Sequence, residues 1–318
     1  MNLMRMSILP ILALSLLLAA CGKDVLFYEQ VYAPLTIEMS FDDSAYVEKS
    51  DVYSAGKIRH VIRTFPVGTI SGRTEPVQEF VIVKDLKDGF DHTATLDFLV
   101  GSYDVMVWSD LIKDGETASC YDADDFGKIA LDAAATGNNE YRKAFRGKAT
   151  VDVTESEEPA LVKVGMESPL ARFELISNDL QEFVAAHTSV ARRTMSLDDF
   201  KVVVFYVGYM PSVFSLYTDK PVDSVADVKF ESSLREISDT EVGLGFDYVF
   251  VGEKTSAVTV KVGVCDAEGK LVSLSASVRV PLQRGENTIK TGNFLTSKSS
   301  LDGIYIDKDF DGSFDVEL

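Results

Sequence analysis

Apolar and polar residues alternate one for one through segment after segment of this chain, and a β-strand is the regular element that sorts such a pattern onto two faces. The clearest case is Val258, Val260, Val262 and Val264, separated by Thr259, Lys261 and Gly263. After Asp266-Ala-Glu-Gly269, the residues Val272, Leu274, Ala276, Val278 and Val280 alternate with three serines and Arg279. One face apolar and one face wet predicts an antiparallel hairpin turned at 266–269, closed to further pairing by Pro281. Leu35, Ile37, Met39 and Phe41 alternate with Thr36, Glu38 and Ser40. Phe80 to Val83 is a short apolar run. Thr93 to Val100 and Tyr103 to Asp110 flank Gly101-Ser102, which predicts a second hairpin. Ala149, Val151 and Val153, then Val162, Val164 and Met166, then Phe173 and Leu175, and finally the run Lys201 to Tyr206 extend the series.

Helical signals are few. Asn178-Asp179 can cap a helix over Leu180 to His187 with Phe183 and Ala186 facing inward. Asn139 to Phe145 reads as another short helix. Many short strands between polar turns predict an all-β protein built of β-sandwiches rather than a βαβ fold. The 318 residues suffice for two domains with separate cores. The expected division is 34–165 and 166–318, with the boundary near Gly165. The repetition is architectural; no sequence repeat is visible. Thirty-one basic against fifty acidic residues give −19, and a surface that negative repels phosphate backbones, so no nucleic-acid partner is expected.

The N-terminus has three parts. Met1 to Met6 carry one positive charge, Arg5, and Ser7 to Ala20 is apolar apart from Pro10 and Ser15. Fourteen residues are too few for a membrane-spanning helix, which needs ~20, and suit the apolar region of a signal peptide. The run ends Leu18-Ala19-Ala20-Cys21, which resembles the bacterial lipobox. The resemblance implies a signal peptide over 1–20 and cleavage between Ala20 and Cys21. It also implies acylation of the Cys21 thiol, with two chains on the glycerol and a third on the amine for stable anchoring. Removal of residues 1–20, whose only charge is Arg5, takes the net charge from −19 to −20. Residues 21–33 read as a tether. No later segment reaches 18 apolar residues.

Motifs of catalysis are not found. His60, His92 and His187 are far apart in sequence, each without a ligand pattern, and read as structural. There is no GxSxG, no phosphate-binding glycine loop and no HExxH. Cys120 and Cys265 read as two free buried thiols, with a disulfide between them in an oxidising compartment as the alternative, and neither a metal nor a cofactor is expected. Asp307-Lys-Asp309-Phe-Asp311-Gly312 resembles the start of an EF-hand loop. Its twelfth position is Leu318 where a glutamate is required, so it reads as a solvated turn. Trp108, the single tryptophan, reads as packed rather than as a sugar platform. The aromatics Phe205, Tyr206, Tyr209, Phe214 and Tyr217 can form either a core corner or a recognition loop. Arg192-Arg193 reads as a solvated pair open to proteolytic nicking.

Several segments in order resemble the fimbrial anchor lipoproteins of Bacteroidetes, the FimB/Mfa type, with a related domain family of unknown function. They are the lipobox at Cys21, Gly101-Ser-Tyr-Asp-Val-Met-Val-Trp-Ser-Asp110, and Glu140-Tyr-Arg-Lys-Ala-Phe-Arg-Gly147. Ser168-Pro-Leu-Ala-Arg172 and Val280-Pro-Leu-Gln-Arg-Gly-Glu-Asn-Thr-Ile-Lys-Thr-Gly292 complete the set. The resemblance spans most of 34–318. It implies two tandem transthyretin-like sandwiches behind a lipid anchor in the outer membrane, at the cell surface. It further implies fimbrial (pilus) subunits as partners, bound by a strand laid into an apolar groove, without catalysis. The alternative expectation is a surface glycan-binding lipoprotein.

Overall fold

The computed structural model describes residues 30–41, 55–70, 75–191, 196–252 and 255–297. The chain is all-β, with one α-helix among the described residues. Its first half supplies β1 (Tyr32–Phe41), β2 (Lys57–Pro66), β3 (Gln78–Asp85), β4 (His92–Leu99), β5 (Gly101–Ile112), β6 (Tyr121–Asp122), β7 (Ile129–Leu131), β8 (Ala144–Val153) and β9 (Ala160–Met166). The second half supplies β10 (Leu170–Ser177), helix α1 (Leu180–Ala191), β11 (Lys201–Tyr206), β12 (Met210–Ser215), β13 (Lys220–Val225) and β14 (Lys229–Ser233). It continues with β15 (Arg235–Glu236), β16 (Val242–Phe250), β17 (Ser256–Cys265), β18 (Leu271–Leu274), β19 (Val278–Leu282) and β20 (Asn287–Gly292).

The two halves repeat one topology. In the first, the sheets run β4-β1-β9 and β3-β2-β5-β8. In the second they run β15-β16-β10-β20 and β14-β11-β17-β18, with β19 also paired to β17. Each half begins with a strand held between an antiparallel neighbour and a parallel one. Those neighbours are β4 and β9 for β1, and β16 and β20 for β10. Each half also inserts two short strands into this plan: β6 and β7 after β5, and β12 and β13 after β11. The insertions meet in a shared sheet, β13-β12-β7-β6, where Val213 and Phe214 pair with Ala130 and Ile129.

Alternation explains the cores. Leu35, Ile37 and Met39 of β1 are buried with Val105 and Val107 of β5 and Val162 and Val164 of β9. Phe173 and Leu175 of β10 meet Val202 and Val204 of β11 and the four valines of β17. Each such side chain contributes about 1.5–3 kcal/mol on full burial. A third core takes residues from both halves: Val61, Phe65, Met106, Trp108, Tyr121 and Ile129 from one, Leu170, Phe214, Tyr248 and Phe250 from the other. β5 therefore packs on both faces, its odd-numbered residues into its own sandwich and its even-numbered ones against the second half.

The structure departs from the sequence expectations in five places. Strands β4 and β5 do not form a hairpin: β4 pairs with β1, while β5 lies between β2 and β8 in the facing sheet. A strand buried on both faces needs two lateral partners, and alternation cannot say which. The 258–280 hairpin forms but is interrupted between β18 and β19. Ser273 and Ser275 face inward there, their hydroxyls bonded to the carbonyls of Phe294 and Ala276. Pro281 lies within β19 opposite Ala257, on a strand whose only partner among the described residues is β17. The helix runs on to Ala191; Phe183 is buried as expected, but Ala186 is exposed, and His187 packs on Phe183 and Phe200 instead. Asn139 to Phe145 makes only a 3-10 turn, Glu140–Arg142, before β8 begins. Finally, the tether expected over 21–33 overlaps β1, since Tyr32 and Ala33 pair with Leu99 and Phe98 and Ala33 is buried.

Candidate functional site

Two features stand out: a polar seam that locks the halves together and a set of open strand edges. The seam begins at Trp108, which is fully buried and edge-on to Tyr121. Its indole N–H donates to Asp110 Oδ2 at 2.8 Å. Arg59 holds the same carboxylate through Nε at 2.9 Å and Nη2 at 2.6 Å. Burial pushes the Asp110 carboxyl up, and the hydrogen bond and charge of Arg59 pull against it. Trp108 is thus neither exposed nor available as a sugar platform.

Deeper in the seam, Arg142 of the first half forms an ion pair with Asp247 of β16, and both are almost fully buried. Arg142 Nη2 donates to the Tyr248 carbonyl at 2.9 Å, and the Tyr206 hydroxyl donates to Asp247 Oδ2 at 2.7 Å. Burial and the Asp247 charge hold the Tyr206 phenol well above its ordinary range. A second lock is Asp219, in a turn at φ 53°. It accepts from Arg146 of β8 at 2.7 and 2.9 Å and from Arg284 at 2.7 Å. Arg172 and Tyr248 reach Glu140 across the same boundary. Apolar packing, a shared sheet and paired charges all cross the seam.

The edges differ in protection. β13 carries Pro221 and two register shifts, β15 has two residues, and β19 carries Pro281. Such features discourage pairing with foreign strands. β3 is unlike them. Its eight residues pair with β2 without interruption and have no other strand partner among the described residues. Val81 and Val83 stand 57% and 47% exposed on one face, while Phe80 and Ile82 are half-buried on the other.

The sequence-predicted residues fall as follows. Ala20 and Cys21, Arg192-Arg193 and the Asp307–Gly312 turn lie outside the described residues. Cys120 and Cys265 are free thiols. His60 and His92, distant in sequence, are in contact: Nε2 of one lies 3.1 Å from Nδ1 of the other. His60 Nδ1 also meets Ser109 Oγ at 2.7 Å. The aromatic group at 205–217 divides, with Tyr206 and Phe214 in cores and Tyr209 74% exposed. The seam arginines escaped the sequence reading. One signal was present: a carboxylate set inside an apolar run, as in Trp-Ser-Asp110-Leu-Ile and Phe-Asp247-Tyr-Val-Phe.

The fold and seam define a two-half, all-β sandwich protein. The chain belongs to a family of unknown function, DUF6562, whose sequence profile matches residues 29–317. No curated protein matches it. Among solved structures it is similar to a protein described as a candidate adhesin from Bacteroides thetaiotaomicron, at 9% identity and a TM-score of 0.45, covering 84% of this chain and 94% of that one. It is similar to another such candidate from Bacteroides ovatus, at 12% identity and a TM-score of 0.43, covering 88% of each. It is also similar to the fimbrial anchor protein Mfa2 from Porphyromonas gingivalis, at 12% identity and a TM-score of 0.39, covering 76% and 82%. Likeness at this level carries no functional information.

Proposed function

We propose that the chain is a lipid-anchored protein of the bacterial outer membrane, exposed at the cell surface. In this reading it acts as an anchor or assembly subunit of a fimbrial polymer, in adhesion and without catalysis. The observation that carries the anchoring is the apolar run ending Leu18-Ala-Ala-Cys21. Residues 34–165 and 166–318 are read as two transthyretin-like domains. Subunit binding is strand addition: main-chain hydrogen bonds give affinity and alternate side chains give register. The uninterrupted β3 edge supports this, because among the described residues one side of it has no strand partner and its apolar side chains lie on both faces.

Two measurements test the reading. Mass spectrometry of protein from native envelopes is expected to find Cys21 as the acylated first residue, and Cys21→Ser is expected to release the chain into the soluble fraction. An unmodified Cys21 thiol rejects the anchor. Stringent pull-downs are expected to recover a polymerising subunit. The double variant Val81→Lys, Val83→Lys is expected to lower that recovery at least tenfold with an unchanged melting temperature, since edge lysines block strand pairing. Unchanged recovery moves the binding site away from β3.

A further inference from the structure

One end of the first sandwich carries a group of exposed apolar side chains. Val31 and Tyr32 stand at the start of β1, Val67 just past β2, Val77 just before β3, and Val100 is the single residue between β4 and β5. Tyr32 is 52% exposed and the four valines between 40% and 48%. Main-chain bonds fix their places. The Val100 N–H donates to the Val31 carbonyl at 2.9 Å, the Val67 N–H to Ser102 at 3.3 Å and the Val77 N–H to Thr64 at 2.8 Å. Tyr32 lies opposite Leu99, and Pro66 opposite Tyr103. The Gln78 side chain ties the two sheets together here, donating to the Asp97 carbonyl and accepting from the Leu99 N–H, each at 3.2 Å. The result is a preformed rim built by both sheets. Single exposed valines need no explanation, but a group of them marks a surface that meets something.

Where the chain comes from identifies the occupant. β1 is the first strand among the described residues, and Gln30, just before it, stands nine residues after Cys21. Nine residues reach at most about 30 Å when fully extended. A chain acylated at Cys21 therefore holds this end of the sandwich within that distance of the bilayer. Between the two, Val25-Leu26-Phe27-Tyr28 is itself apolar and gains by leaving water. Five half-exposed side chains are too few to keep a protein on a membrane alone. The anchor changes this, because it makes the second contact intramolecular and raises its effective concentration. Tyr32 adds a ring with an apolar body and a polar tip, which suits the headgroup level.

The nearby charges narrow the lipid. Glu75 precedes Val77, and Asp97 lies opposite Pro34 on β4. The turn holding Glu155, Glu157 and Glu158 joins β8 to β9 at the same end, on the flank away from β2 and β3. Such a surface is repelled by anionic headgroups and tolerates zwitterionic ones. We propose that this rim docks on the zwitterionic interface of the bilayer that receives the Cys21 acyl chains. The first sandwich then stands on the membrane by the start of β1, and the far end of β5, at Ile112, points away from it.

The proposal rests on the acylation of Cys21 read above, and one experiment separates the two. The acylated mature chain, purified from envelopes, is reconstituted into phosphatidylcholine vesicles whose brominated acyl chains quench tryptophan at the bilayer. Val100→Trp places a reporter on the rim. Lys113→Trp places one past the other end of β5, twelve residues and about 40 Å away. Trp108 is fully buried and gives both variants the same background. Brominated lipid is expected to quench the added emission of Val100→Trp at least twofold and to leave that of Lys113→Trp unchanged. Adding Val67→Glu and Val77→Glu is expected to abolish the quenching while the protein still floats with the vesicles and keeps its melting temperature. Flotation without quenching at the rim overturns the docking and leaves the anchor standing. Failure to float, with the Cys21 thiol unmodified, overturns both. Equal quenching at the two positions overturns the docking, as does quenching that survives the glutamates or occurs only with phosphatidylglycerol. So does a rim reporter that is blue-shifted in the soluble Cys21→Ser chain and untouched by brominated lipid, since residues 25–28 would then cover the rim.

Discussion

Replacing Asp247 by Ala is expected to cost about 3–5 kcal/mol of unfolding free energy, because it leaves the Arg142 guanidinium buried without its counter-charge. Arg142 and Asp247 are 2% and 1% exposed, so water cannot solvate the charge left behind. The loss extends beyond the pair. Tyr206 loses the acceptor for its hydroxyl, and Arg142 Nε is already a buried donor with no partner among the described residues. Against a typical domain stability of about 5–15 kcal/mol, this is a large fraction. Urea titration followed by the fluorescence of Trp108 measures it, since the chain's one tryptophan sits in the core the halves share. The paired replacement Arg142→Met with Asp247→Leu is expected to recover most of the loss, because it removes both charges and keeps the volume filled. If Asp247→Ala alone shifts the curve by less than about 1 kcal/mol, the pair does not hold the seam.

The second large effect is acid sensitivity of the first sandwich. His60 of β2, an interior strand of one sheet, and His92 of β4, an edge strand of the facing sheet, are in contact. Burial, then the His92 and Lys84 charges, lower the His60 imidazole to about 3. Burial and Lys84 lower His92 also, opposed by Asp88, Asp91 and the Phe90 backbone. The direction follows from linkage. Each folded-state value lies below the unfolded one, so below about pH 6.5 the unfolded chain binds more protons than the folded one. The neutral form's contribution is complete above pH 6.5 and is lost as the pH falls towards 3. His60, with no exposure, accounts for about 2 kcal/mol between pH 6.5 and 5, at about 1.36 kcal/mol per pH unit. His60→Gln keeps a hydrogen-bonding group near Ser109 and removes the proton site. Urea midpoints from pH 7 to 4 are expected to fall less steeply in that variant than in the parent. Parallel slopes would show that His60 does not titrate across this range.

How far the sequence reaches is clear from particular residues. Val258 to Val264 announce a strand because each valine's burial is decided by its own strand face. The same holds for Leu35, Ile37 and Met39. Thr93 to Val100 and Tyr103 to Asp110 were equally legible as strands, yet their hairpin was wrong, because both lateral neighbours of β5 lie elsewhere in the chain. His60 and His92 looked unrelated across 32 residues and lie 3.1 Å apart. Asn139 to Phe145 reads as a short helix, but tertiary burial of Arg142 and the start of β8 turn it into one tight turn and a strand.

By itself the sequence determined the all-β class, the inward face of most strands and the site where a lipid anchor is expected. Periodicity records local burial, and a short processing signal is read as a linear string. Only the tertiary structure decided that both halves follow one strand order, that their insertions meet in a shared sheet, and that charges from one half are neutralised by the other. Those facts depend on which residues become neighbours after strands separated by tens to more than a hundred positions have packed, and an alternating pattern fits many neighbours equally well.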